Sequence, residues 1–368
     1  MPSDLAPLAE AGRKWLLEAM LPLWSTAGFD ETTSQFVEAL TPAGEPAPAP
    51  RRTLVQARQM FVVCAGGRLG WTGPWREQAS AAGEALLAHG HGEAGDWIYS
   101  FDANGAPADE RSDLYTQAFV IFGLTEAGRA LGRADFTAAA TATCERLEAG
   151  WADPAGGFFE GDFAPHPGRQ NPHMHLLEAF LALHAATGDP ADLARAEHIA
   201  DLFMSRLQDP AGHIPEEFDA AWAPIASGGL APGHQFEWAW LLDRLRQAGG
   251  RDRSGAVEKL TAFGERHGVN TAGFTIDEIW PDGSVKSAEA RLWPQTERLK
   301  AALAAADDGA AMQAAGALSA YLDVPVPGTW HDARLPDGGW RGGSSPASSG
   351  YHIVSALQTL IGAAGAGN

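Results

Sequence analysis

Apolar residues recur along this chain at the three-and-four spacing of amphipathic helices, broken at regular intervals by Gly, Pro and polar clusters. The pattern predicts twelve helices, near residues 3–20, 50–64, 75–90, 110–130, 133–149, 170–187, 190–206, 230–249, 251–267, 286–304, 306–322 and 345–362. Alanine and leucine dominate these stretches, and both favour helix. The connections alternate in length. Leu131-Gly132, Gly188-Asp189 and Gly250 are short; 21–49, 91–109, 150–169, 207–229, 268–285 and 323–344 are long. The long ones mix aromatics, a carboxylate and a Gly or Pro turn, as in GDWIYSFDANGAP and GHIPEEFDAAW, and predict small hairpins.

A polar residue opens every second helix. Gln56, Tyr115, His175, His234, Gln295 and His352 lie 57–61 residues apart. A period of that size, two helices each time, signals stacked or closed helical hairpins. The expectation is an all-α fold, an (α/α)6 barrel of six inner and six outer helices with hairpin loops at one mouth. Residues 1–368 form its single domain. The alternative, an open solenoid, would want a polar last repeat, whereas the last helix reads SGYHIVSALQTL. In a closed barrel the N-terminal ends of all inner helices gather at one mouth. The stretch RQNPHMHLLEAFLAL then makes sense: His175 faces the mouth and the apolar remainder packs below.

Composition narrows the function. The formal charge of −20 argues against nucleic-acid or anionic-membrane partners. No uncharged apolar run is long enough for a span, and the N-terminus lacks the basic-then-apolar layout of a signal peptide. A cytoplasmic location follows as the expectation. Cys64 and Cys144 sit in apolar helical patterns and read as buried free thiols. The outward helices and the 21–49 segment are candidates for a homodimer interface. No dinucleotide or phosphate-binding glycine motif is present.

The repeat register gathers His175, His234 and His352 around one axis. Histidine both donates and accepts protons near neutrality, which suits acid/base work. His173, two positions from His175, faces elsewhere and reads as structural. HExxH and i,i+4 histidine pairs are absent, so neither metal nor cofactor is expected. Glu237, three residues after His234, shares its helix face and is expected to fix that histidine's tautomer. Arg58 in an interior helix needs an anion or several oxygens as partners. Asn171 is placed to cap its helix or to bind substrate. Trp293, with Glu297 one turn on, offers a flat face for a sugar ring; Tyr115, Trp280 and Trp340 could do the same, with Trp238 and Trp240 as nearby walls. Arg334 and Arg341 could reach a distal phosphate or sulfonate. A glycoside hydrolase would instead need two facing carboxylates, for which Glu216, Glu217, Asp277, Glu278 and Glu297 are candidates. A non-catalytic sugar-binding protein is the third class.

The stretches LVQARQMFVV, DLYTQAFVIFGL, RQNPHMHLLEAFLAL, PGHQFEWAWLL, RLWPQTERLKAA and SSGYHIVSAL, in this order, resemble the N-acylglucosamine 2-epimerase superfamily. Its members include D-mannose isomerases, sulfoquinovose isomerase and cellobiose 2-epimerases. The resemblance implies an (α/α)6 barrel and cofactor-free isomerisation or epimerisation of a sugar. It implies His234 and His352 as the acid/base pair, with Arg58, Asn171, His175, Glu237 and Trp293 binding or orienting substrate; Tyr115 and Glu297 join that set. Within the family a monosaccharide isomerase, D-mannose to D-fructose, is the first expectation and a sugar 2-epimerase the second.

Overall fold

The structure, a computed structural model, describes residues 5–161, 168–225 and 228–365. Helices alternate between an outer and an inner layer. The outer layer comprises α1 (Leu5–Trp15) with its continuation α2 (Leu21–Thr26), then α4 (Trp75–His89), α6 (Ala134–Gly150), α8 (Pro190–Leu202), α10 (Ser254–Gly268) and α12 (Asp308–Leu322). The inner layer is α3 (Thr53–Arg68), α5 (Leu114–Leu131), α7 (Gln170–Thr187), α9 (Pro232–Gln247), α11 (Leu292–Ala304) and α13 (Ala347–Gly365). Each inner helix packs on the next, and α13 packs back on α3, so the ring closes. The fold is the expected (α/α)6 barrel, and the open solenoid is excluded. Inner helices are buried nearly all round, so their apolar residues form no single stripe.

The first helix runs further than the pattern suggested. Pro22 should break it near residue 20, because its ring crowds the carbonyl four residues back. Instead a π turn at Leu16–Met20, closed by the Leu21 N–H on the Leu16 carbonyl, widens the helix just before the proline. The helix predicted over 286–304 begins only at Leu292; Val285–Ser287 and Ala290–Arg291 are short strands.

The long loops gather at one mouth, as expected, and in the described residues three form the expected small hairpins, among them Ser100–Phe101 with Pro107–Asp109 and Glu278–Ile279 with Val285–Ser287; four further strand pairs join successive loops. Arg51–Arg52 pairs with Ser100–Phe101, Gly168–Arg169 with Glu217–Phe218, and Ala290–Arg291 with Ala333–Arg334. Ser345–Pro346 pairs with Ala39–Leu40, so the last loop is tied to the first. Residues 162–167, inside the loop predicted at 150–169, lie outside the described residues.

A second device holds each loop to its helix. Gln56 accepts the Phe36 N–H (2.7 Å) and donates to the Phe36 carbonyl (2.9 Å). Gln117 does the same to Trp97, Gln235 to Ile214 and Gln295 to Thr275. Ser345 takes both groups of Trp330. In the third repeat His173 serves: its Nε2 accepts the Phe158 N–H at 3.0 Å, and Nδ1–H donates to the Arg169 carbonyl at 3.1 Å. A side chain thus replaces a β-ladder where no strand could run beside a helix. The fit is close: a Cβ on Gly157, whose φ is +73°, would lie 2.7 Å from the His173 Nε2. Gln56 and Gln295, grouped with the histidines by spacing, are therefore loop clamps.

Burial pushes the His173 imidazole down to about 4, against the pull of its hydrogen bond to Arg169. The folded state thus keeps it neutral where the unfolded chain, near 6.5, takes up a proton. That stability is present above the unfolded value and lost as pH falls toward the folded one. Between pH 7 and pH 5 the loss is about 2 kcal/mol. Replacing His173 with Gln, the residue of the other clamps, should keep the fold and remove that increment. Urea unfolding at the two pH values measures it.

Candidate active site

The N-terminal ends of the inner helices enclose a cavity of about 230 Å³. His175, His234 and His352 all line it, with Arg58, Tyr115, Asn171, Glu237 and Trp293. The repeat spacing gathers Tyr115 and the three histidines, and ring closure brings the others to the same cavity. A larger hollow of about 720 Å³ opens at the opposite end of the barrel, between Phe61, Phe122 and Trp240, and carries no histidine in its lining.

Each histidine rests on a carboxylate behind it. His352 donates from Nδ1 to Glu297 at 2.8 Å. His175 donates from Nδ1 to Glu178 at 3.0 Å, one turn along α7. The Nδ1 of His234 meets Glu216 at 2.8 Å. A carboxylate on Nδ1 leaves Nε2 as the free base position of a neutral ring. Trp293 lies between two of them, its ring centroid 4.7 Å from His234 and 5.7 Å from His352. Arg58 sits below, donating to the Tyr115 hydroxyl at 2.7 Å and to the Ser348 carbonyl at 3.2 Å, with its guanidinium 3.9 Å over the Phe119 ring.

Behind this layer lies a buried cation, Lys300, wholly shielded from solvent. Its ammonium is 2.6 Å from Glu297 and 3.9 Å over the Trp240 ring. Burial pulls the Lys300 ammonium down, but the charges of Glu297, Glu237 and Glu178 outweigh it and raise the value. Burial likewise pushes Glu297 up, yet Lys300 and His352 hold it in the ionised range. Glu178 is kept low, against burial, by His175, Lys300 and the hydroxyl of Tyr351. Glu237 differs: burial and the charge of Glu297 drive it well above the carboxylate range, and Lys300 only partly offsets them. Burial sets the His175 and His352 imidazoles near 4, against the pull of their carboxylates, so both are neutral bases at pH 7.

Several polar atoms of the cavity have no partner within the protein: Nε of Arg58, Oδ1 of Asn171 and both oxygens of Glu237. Buried groups of this kind call for a polar ligand. Asn171 does not cap its helix; Arg169 holds the cap position, without a side-chain hydrogen bond.

Other expectations are corrected. Glu237 does not fix the tautomer of His234; it stands 4.0 Å from Nε2 of His175, and Glu216 occupies the Nδ1 side of His234. Glu297 lies behind His352 and outside the cavity lining. Trp238 is stacked on Phe203 in the core, and Trp240 lies toward the opposite end. Trp340 stacks on His331, and neither it nor Trp280 lines the cavity. Arg341 is paired with Glu289, and Arg334 covers Phe274. Of the hydrolase candidates none lines the cavity, whose one carboxylate among the described residues is Glu237. Spacing missed Lys300, although Glu297 three residues earlier on an apolar face was a usable signal. It also missed Arg52, Ser348 and Ser349 in the lining.

Glu237, Glu297 and His352 are close enough to share a cation. Lys300 already supplies a positive charge to Glu297, and the Nδ1 proton of His352 takes its other oxygen. This donor set fits a proton and ammonium network better than a metal centre.

Replacing Lys300 with Met would leave buried carboxylates without their counter-charge. The expected loss of stability is about 3–5 kcal/mol at pH 8. The deficit should shrink at pH 5.5: stranded carboxylates have raised folded-state values, so their unfavourable contribution grows as pH rises from the unfolded value toward the folded one. Denaturant midpoints at both pH values read the effect.

The sequence matches the N-acylglucosamine 2-epimerase (GlcNAc 2-epimerase) family over residues 36–356. It is 38 % identical over 369 residues to a mannose-6-phosphate isomerase of Rhizobium meliloti, covering 94 % of this chain and 95 % of that one. Among solved structures, a D-mannose isomerase superposes with a TM-score of 0.89 at 19 % identity, over 98 % of this chain and 99 % of that one. A cellobiose 2-epimerase from Bacillus thermoamylovorans superposes with a TM-score of 0.88 at 20 % identity, over 97 % and 99 %. These structures share its fold. With a family match across most of its length and a near full-length relative, the chain belongs to the N-acylglucosamine 2-epimerase family and is a sugar isomerase or epimerase.

Proposed function

We propose that this enzyme interconverts an unphosphorylated aldose and its ketose, D-mannose and D-fructose in the first instance, without a cofactor. The observation that carries the reading is the pair His234 and His352, on either side of Trp293 in one small cavity, each with a carboxylate on Nδ1. A volume of about 230 Å³ is below the usual range for drug-sized ligands, which favours a single sugar ring.

The chemistry follows from acid/base placement. An aldose opens when its ring oxygen gains a proton and its anomeric hydroxyl loses one; His234 serves this step. His352, neutral at pH 7, removes the C2 proton, made acidic by the adjacent carbonyl. The resulting imidazolium is held by Glu297. A cis-enediolate forms, and Arg58 stabilises the charge on its oxygen. His234 then moves the hydroxyl proton from O2 to O1, and return of the proton from His352 to C1 gives the ketose. Glu237, whose carboxyl is driven well above its usual range by burial and by Glu297, and Asn171 have free hydrogen-bonding atoms for sugar hydroxyls. His175 and Trp293 orient the ring.

The near full-length relative is named for a 6-phosphate, so that substrate is the competing reading. Two of the three arginines in the cavity lining, Arg52 and Arg291, are already paired, with Glu38 and Asp277. Only Arg58 lacks a carboxylate partner, and its place is at the reacting oxygens. This supports the free sugar. Epimerisation at C2 would require the proton to return on the opposite face, a role open to His234.

Incubation with D-mannose, D-mannose 6-phosphate, D-fructose and cellobiose in heavy water, followed by NMR, tests the reading. Mannose should yield fructose with deuterium at the exchanged carbon, and chelators should leave the rate unchanged. Glucose as the first product would establish epimerisation; turnover of the 6-phosphate alone would overturn the free-sugar assignment. His352→Asn should lower C2 exchange by about 10²- to 10⁴-fold, with a much smaller change in sugar binding.

A further inference from the structure

The barrel repeats a carboxylate at a fixed place, and in one repeat it is put to a different use. The residue just before an inner helix is Arg52 at α3, Arg169 at α7 and Arg291 at α11. Each gives its backbone N–H to a loop carboxylate: to Glu38 at 3.1 Å, to Glu160 at 2.6 Å and to Asp277 at 3.2 Å. In each case the same carboxylate also takes the arginine's own Nε–H, at 2.6, 2.8 and 2.9 Å. The pair ties the loop to the helix start and neutralises itself.

At α9 the equivalent residue is Ala231. Its N–H still goes to a loop carboxylate, Glu216, at 3.1 Å. Alanine has no guanidinium to take the second oxygen. That oxygen, Oε2, lies 2.8 Å from Nδ1 of His234 and 2.9 Å from Nε2 of Gln170. The orientation of Gln170 is fixed, because its Oε1 accepts the indole N–H of Trp238 at 2.6 Å. Its amide nitrogen therefore faces Glu216 and also stands 2.9 Å from Nδ1 of His234. Nδ1 thus has a donor on one side and an acceptor on the other, and the charge on Glu216 decides which tautomer forms. The charges and donors around Glu216, His234 first, keep it ionised in spite of its burial. An ionised carboxylate places the proton on Nδ1.

We propose that Glu216 is a positioning residue for His234. It holds the ring as the Nδ1–H tautomer with Nε2 toward the sugar, and it stabilises the imidazolium formed when His234 takes up a proton. The replacement of arginine by alanine at position 231 is what frees the carboxylate for this task. The catalytic half of the inference rests on the reading of His234 given above; the tautomer half does not.

Four variants test it. In wild-type enzyme, free of substrate and at neutral pH, ¹⁵N–¹H long-range correlation spectra should show His234 with its proton on Nδ1. In Glu216→Gln the nitrogen of the new amide can face Nδ1, and the proton should move to Nε2. In that variant kcat should fall about 10–100-fold, the usual cost of losing a group that orients a functional histidine, with KM within about threefold. Glu216→Asp should recover part of kcat. Glu160→Gln is the control, since Glu160 has the same helix-start bonds but no histidine; it should be destabilised yet keep kcat within about threefold. A wild-type His234 protonated on Nε2 would overturn the proposal, as would an equal loss of kcat in Glu160→Gln and Glu216→Gln. Near-normal kcat in Glu216→Gln with a shifted tautomer would overturn the catalytic half. Full activity in His234→Asn would instead refute the role given to His234, and the spectra would still decide the tautomer.

Discussion

The buried ammonium of Lys300 is what the site depends on. Three carboxylates, Glu178, Glu237 and Glu297, stand buried inside the closed ring of inner helices. A lone ionised carboxylate in such surroundings is strongly disfavoured. With Lys300 and Arg58 present, two of the three can ionise, Glu178 and Glu297. The third, Glu237, is driven well above its usual range by burial and by the charge of Glu297. Histidines anchored to the ionised carboxylates remain neutral at pH 7, and the carboxyl of Glu237 beside them is shifted toward its protonated form.

This arrangement explains why cavity-lining groups and groups that hold the ring are intermixed along the inner helices. Histidine 352 is held by α11, through Glu297, and histidine 175 by its own helix, through Glu178. Glu178 in turn receives the hydroxyl of Tyr351 from α13. The hydrogen bonds that orient the bases are the same ones that join α7, α11 and α13 around the axis. Loosening the site would loosen the ring.

The mouth is held by a separate and more modular system. A glutamine, histidine or serine near the start of each inner helix binds the backbone of the loop before it. Short strand pairs then link loop to loop, and the last loop to the first. Because each clamp touches only its own loop, loops can differ in length and lining without disturbing the ring. That is the usual division between a rigid scaffold and variable functional loops.

What the sequence by itself determined was local or periodic: the helices, their alternation, the sixty-residue repeat, and through it the closed barrel and the gathering of His175, His234 and His352. The run of motifs from LVQARQMFVV to SSGYHIVSAL carried the family. Register within the repeat was not legible. Neighbouring helical positions point about 100° apart, and repeat spacings of 57 to 61 leave an uncertainty of one or two residues. Gln56 and Gln295 could therefore be grouped with the histidines although they point to loops. Pairings across the chain were beyond reach for a different reason. Glu216 meets His234 from a loop 18 residues earlier, and Glu297 meets His352 across 55 residues. Only the closed ring decides which carboxylate stands behind which histidine, and which of them must share the single charge of Lys300.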